Sequence, residues 1–163
     1  MKANLPLVKR FCDLIDEGSQ ILATLCDLSD QEKNAIEKVD PALLQNCVSQ
    51  KQKNLELLAE NTLQRNEALI ELGFSADAQG LEQLQQSLSP GITKEISKRW
   101  ENLSSQLRQA AKLNQRNEQI VKRSQGNISQ LLSILQGQSP KTTIYDEAGH
   151  KGNYSGQNKL GKA

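Results

Sequence analysis

Aromatic side chains are almost missing from this chain: one Trp, two Tyr and two Phe among 163 residues. Rings supply much of the buried area of globular cores and the stacking platforms of single-strand nucleic-acid sites, so neither architecture is favoured. Histidine occurs once, at His150 in a Gly-rich terminal stretch. A carboxylate-bridged metal bundle needs Glu-x-x-His on inward helix faces and is therefore excluded. The three cysteines, Cys12, Cys26 and Cys47, are odd in number and lack the CxxC spacing of a zinc or redox site. They read as reduced thiols of a cytoplasmic protein, with Asp13 and Asp27 opposing thiolate formation at the first two. No apolar run approaches the roughly 20 residues of a bilayer span. Lys2, Lys9 and Arg10 are followed by Asp13, Asp16 and Glu17 rather than by a signal core, so neither general secretion nor membrane insertion is expected. Gly73, Gly80 and Gly91 stand singly at breaks, unlike a phosphate-cradling loop, and no nucleophile has a base beside it. The sequence predicts no enzyme activity and no cofactor.

Present in quantity are Leu, at 24 residues, and Gln, at 19, within a chain only 36% apolar. Against the usual proportion of about 45–50%, that favours long helices over a thick core. The expected fold is all-α: an antiparallel helical hairpin, one long coiled-coil-like third helix making an elongated bundle, and a disordered tail. Apolar residues at Val8, Phe11, Ile15, Leu22, Leu25 and Leu28 define a first helix over about 5–37. Asp40 followed by Pro41 marks the start of a second, because Asp caps and Pro is tolerated in the first turn. It runs over about 41–72 and ends before Gly73, a residue suited to the left-handed exit. Residues 74–91 read as a loop with one or two helical turns.

From Ile96 the steps of four and three alternate through Trp100, Leu103, Leu107, Ala110, Asn114, Asn117, Val121, Ser124, Ile128, Leu131 and Leu135. This is a coiled-coil seam, and a helix over 92–136 at about 1.5 Å per residue is a rod of roughly 65 Å. Residues 1–137 then form one helical domain. Residues 138–163 hold few large apolar groups, among them Ile144 and Tyr145, and are expected to be a flexible tail.

Charge is shared unevenly. Residues 11–40 carry eight acidic and two basic groups, net −6, and residues 92–136 carry eight basic and three acidic groups, net +5. Opposite signs on neighbouring helices set register, so the cations of the third helix read as a face beside an acidic partner and not as a nucleic-acid site. Asn114, Asn117 and Ser124 interrupt the apolar seam. Either they control register or this half of the helix meets a partner that comes and goes. Ile120, Val121, Ile128, Leu131, Leu132 and Leu135 need cover that the chain scarcely offers, which points to a helix-in-groove site or to self-association.

These residues fall in a familiar order: Arg99-Trp100-Glu101, Leu107-Arg108-Gln109, the run Leu113-Asn114-Gln115-Arg116-Asn117-Glu118-Gln119-Ile120-Val121, and Thr143-Ile144-Tyr145-Asp146-Glu147-Ala148-Gly149. With Lys53-Asn54-Leu55-Glu56-Leu57-Leu58, Gln64-Arg65 and Leu72-Gly73, the chain resembles the FlgN family of flagellar export chaperones over most of residues 5–149. Two positions depart from the family pattern, Glu118 and Asp146, where glycine is usual. The resemblance implies a cytoplasmic, non-enzymatic chaperone for hook-filament junction subunits of the FlgK and FlgL type, bound through their C-terminal helices. It implies substrate contacts at Leu113, Asn114, Asn117, Ile120, Val121, Ser124, Ile128, Leu131, Leu132 and Leu135. Ile144 and Tyr145 would dock on an export gate of the FlhA type, and the unbound chain would be a monomer or weak dimer. The alternatives are a homodimeric coiled-coil adaptor and a type III chaperone for another cargo.

Overall fold

The computed structural model describes residues 4–135. The expected flexible tail, with Ile144 and Tyr145, lies outside the described residues. Those described form an all-α fold of four helices: α1 (Leu5–Lys38), α2 (Pro41–Glu71), α3 (Ala78–Ser87) and α4 (Pro90–Leu135). Packing divides the chain after Ile120 into a first unit holding α1 to α3 with the start of α4, and a second that begins at Val121.

Local chemistry sets the helix ends. Only Val39 and Asp40 separate α1 from α2. Val39 takes a left-handed conformation at φ 54°, unusual for a β-branched residue, and its neighbour's N–H bonds to the Ala35 carbonyl at 2.9 Å. Asp40 is thereby placed to cap α2, its Oδ1 accepting the Leu43 N–H at 3.0 Å. At the far end Gly73 adopts φ 89°, and the Phe74 N–H returns to the Leu69 carbonyl at 3.0 Å.

The segment read as a loop differs from expectation: α3 is a ten-residue helix. Asp77 starts it, its Oδ1 accepting the Gly80 N–H at 2.8 Å and the Ser75 hydroxyl at 2.7 Å. Leu81 and Leu84, three apart, turn into the core and are buried. A helix this short is marginal alone, so apolar burial is what holds it.

α1 and α2 run antiparallel, as the pairs Arg10–Glu71, Asn61 with the Leu14 carbonyl, and Lys51–Glu32 record along their length. The first part of α4 runs parallel to α1, from Asp16–Arg99 to Asp30–Arg116. The acidic helix and the basic helix therefore lie side by side, as their charges suggest. The main core gathers Val8, Phe11, Ile15, Leu22 and Leu25 of α1 with Ala68, Leu69 and Leu72, then Leu81 and Leu84, then Ile96 and Leu103. At Gly18 the helices approach closely: a Cβ there would lie 2.7 Å from Asn61 Oδ1 and 3.1 Å from Leu103 Cδ1. Glycine inside a helix costs up to about 1 kcal/mol against Ala, and here it makes room for α2 and α4.

Candidate protein-docking surface

Along α4 the covered face within the first unit passes through Ile96, Leu103, Leu113 and Asn117, all buried, with Ile92, Trp100, Ala110 and Ile120 half-buried. Leu107 and Asn114, expected in the seam, are exposed. A straight α-helix of 3.6 residues per turn drifts against a strict seven-residue repeat, so the covered stripe moves from Leu103 toward Leu113 and leaves these two on its flank.

Both asparagines belong to a polar clamp of three helices. Asn117, only 3% exposed, donates from Nδ2 to the Ser29 carbonyl at 2.6 Å and to Glu32 Oε2 at 2.7 Å. Arg116 Nε donates to Asn117 Oδ1 at 3.1 Å, while its Nη1 lies 2.9 Å from Asp30. The same Glu32 oxygen receives Lys51 Nζ at 2.8 Å, and Lys51 also donates to Asn114 Oδ1 at 3.1 Å. Glu32 and Lys51 each keep only 14% of side-chain exposure. Partly withdrawn from water, these charges are matched by direct hydrogen bonds, which fixes the axial alignment of α1, α2 and α4.

The described residues of the second unit, 121–135, differ in character. Val121, Ile128, Leu131, Leu132 and Leu135 are 38%, 55%, 60%, 50% and 82% exposed, and Ser124 is exposed with them. By helical spacing Val121, Ser124, Ile128, Leu131, Leu132 and Leu135 share one face. Ile134, absent from the expected set, is 55% exposed and stands off that row. Of the ten residues expected on α4, then, Leu113 and Asn117 are packed inside the first unit and Ile120 is half-buried. Asn114 is exposed but engaged by Lys51, and the six from Val121 onward stand open on the second unit. Lone exposed apolar residues are ordinary, but a row of this length is a recognition surface.

Chemistry in the first unit is inert. Burial pushes the thiols of Cys12, Cys26 and Cys47 above their ordinary value, with smaller upward contributions from Asp13 at Cys12, Asp27 at Cys26 and Glu32 at Cys47. Arg99 and Lys51 pull Cys12 and Cys47 the other way, but less strongly. The thiols are thus protonated at neutral pH, and the thiol form is a poor nucleophile. Iodoacetamide should label the native protein at pH 7.5 at least about tenfold more slowly than a free cysteine, with buried Cys47 last; fast single-site labelling read by mass spectrometry would contradict this. Among the described residues no three His, Cys, Asp or Glu are placed to hold a metal ion, and no helix is long and apolar enough to cross a membrane.

The comparisons with known proteins agree with this architecture. No curated protein matches the chain. A crystal structure from Pseudomonas aeruginosa, named as that of a flagella synthesis protein FlgN, aligns with a TM-score of 0.59 at 30% identity, covering 76% of this chain and 93% of that one. The family profile described as FlgN protein matches residues 1–153. With its whole helical region and the run through Tyr145 inside that match, the chain belongs to the FlgN family.

Proposed function

We propose that this protein is a flagellar export chaperone of the cytoplasm. It captures the C-terminal amphipathic helices of hook-filament junction subunits, of the FlgK and FlgL type, on the face of Val121, Ser124, Ile128, Leu131, Leu132 and Leu135. It keeps those helices from assembling early and carries them to an export gate of the FlhA type. The observation that carries the reading is the exposed apolar row on the second unit of a FlgN-family chain. Leu113, Asn114, Asn117 and Ile120 serve the site by holding the helix that bears it. Helices destined for coiled-coil assembly expose apolar stripes and aggregate until covered, and a substitute surface of similar shape protects them. Affinity between about micromolar and nanomolar, roughly −8 to −12 kcal/mol, is tight enough to protect and weak enough to release without nucleotide hydrolysis.

The direct experiment is isothermal titration of the full chain with the last forty or so residues of each junction subunit. Saturable binding is expected, and silence from both ends the reading. Light scattering in parallel addresses the homodimeric adaptor, which requires a tight dimer at every concentration. For delivery, we assign Ile144 and Tyr145 to gate docking. Tyr145→Ala should leave subunit affinity within about twofold and lower affinity for the FlhA-type cytosolic domain at least about tenfold. A parallel fall in both would merge the two sites into one.

A further inference from the structure

The exposed row of the second unit lies in a one-signed electrostatic setting. Residues 121–135 contain two charged side chains, Lys122 and Arg123, and in the sequence no Asp or Glu occurs between Glu118 and Asp146. By helical spacing the two cations fall one toward each flank of the apolar row. Long basic side chains can lay their stems along a docked helix and extend their charged ends beyond it.

The first unit contains a worked instance of what suits such a surface. There α4 packs beside α1, whose residues 11–40 carry net −6, and Arg99 and Arg116 of α4 pair with Asp16 and Asp30 while Ile96, Leu103 and Leu113 are buried. An apolar stripe edged by cations on one helix meets an apolar stripe edged by carboxylates on the other. A second copy of the 121–135 face would instead set Lys122 and Arg123 against the same residues, and like charges across a helix interface select against pairing.

We infer that the face of residues 121–135 is a docking surface for an amphipathic helix with carboxylates on both sides of its apolar stripe, a helix that imitates α1. This rests on the chaperone reading and adds the charge class of the captured segment. Specificity then has two sources: the apolar row supplies adhesion, and the cations select among the apolar helices of the cytoplasm.

The test uses the full chain and two synthetic helical peptides with the same Leu/Ile stripe, one flanked by Glu and one by Lys, titrated beside the junction-subunit segments. The Glu-flanked peptide should bind at least about tenfold more tightly in 50 mM NaCl, and the margin should shrink in 500 mM NaCl as screening shortens the reach of the charges. The double variant Lys122→Glu, Arg123→Glu should reverse the preference while keeping the parent circular dichroism. Equal binding of the two peptides, or a preference that survives the double variant, overturns the inference. Two other occupants give distinct results, each of which also overturns it. A stable dimer of the free chain that Ile128→Asp dissolves would assign the face to a second copy. Tighter peptide binding after Ile144→Ser with Tyr145→Ser would assign it to the chain's own C-terminal segment. If junction segments bind with no preference for charge, the chaperone reading stands and the inference alone falls; if nothing binds, the reading falls with it.

Discussion

Ile128→Asp should weaken capture of junction-subunit helices by roughly 100- to 1,000-fold and leave the helix content of the chain unchanged. Ile128 sits in the middle of the open row and is 55% exposed in the free chain. Docking a partner helix removes the rest of its surface from water, a contribution on the order of 1–2 kcal/mol for an aliphatic side chain. A carboxylate in its place must be desolvated without a partner, which adds about 2 kcal/mol or more. The sum, about 3–4 kcal/mol, converts to the stated range at about 1.4 kcal/mol per tenfold. Folding is not at issue, because the substitution exchanges one solvent-facing side chain for another and such changes stay within about 0.5 kcal/mol. Val121→Asp should act in the same direction, and Gln130→Asp, on the opposite face by helical spacing, should change affinity by less than about threefold. Capture by Ile128→Asp within threefold of the parent would remove the row from the mechanism.

The parts of this fold that the sequence makes legible are those decided locally. Asp40-Pro41 and Leu72-Gly73 mark the ends of α2 because capping depends on a few adjacent residues. The acidic first helix beside the basic last one is legible in net charge, and Asp16–Arg99 and Asp30–Arg116 realise it. What requires tertiary context is harder. α3 exists because Leu81 and Leu84 find a core built by distant segments, although Asp77, placed to bond the Gly80 N–H, is a local signal that could have found its start. The seam is the instructive case. Counting by sevens puts Leu107 and Asn114 inward, yet the helix keeps its own period and buries Leu113 instead. Nor does any spacing rule bring together Glu32, Lys51 and Asn117, one from each of three helices, since their meeting depends on the register of the assembled bundle.

That clamp decides what the seam asparagines do. Asn117→Ala should destabilise the protein by about 2–3 kcal/mol, read as a lower urea midpoint at unchanged slope. Two donor bonds are lost, one of them to a charged carboxylate, and the Arg116 Nε bond to the amide oxygen goes with them. The cost stays moderate because the groups left behind keep other partners: Glu32 retains Lys51, and the Ser29 carbonyl retains Arg116 Nη2 at 3.2 Å. Asn114→Ala should cost less than about 1 kcal/mol, since its amide is exposed and makes one surface contact with Lys51. The two residues thus separate by burial even though the sequence sets them in one row. Junction-subunit affinity of Asn117→Ala, measured where the variant remains folded, should stay within about threefold of the parent, because an amide 3% exposed and turned onto α1 has nothing left to offer a partner. The opposite pattern, unchanged stability with a tenfold loss of capture, would mean that α4 swings away from α1 when substrate arrives and that Asn117 changes partners with it. Register control and substrate contact make opposite demands on this side chain, and the pairing of Asn117 with Ser29 and Glu32 places it with register.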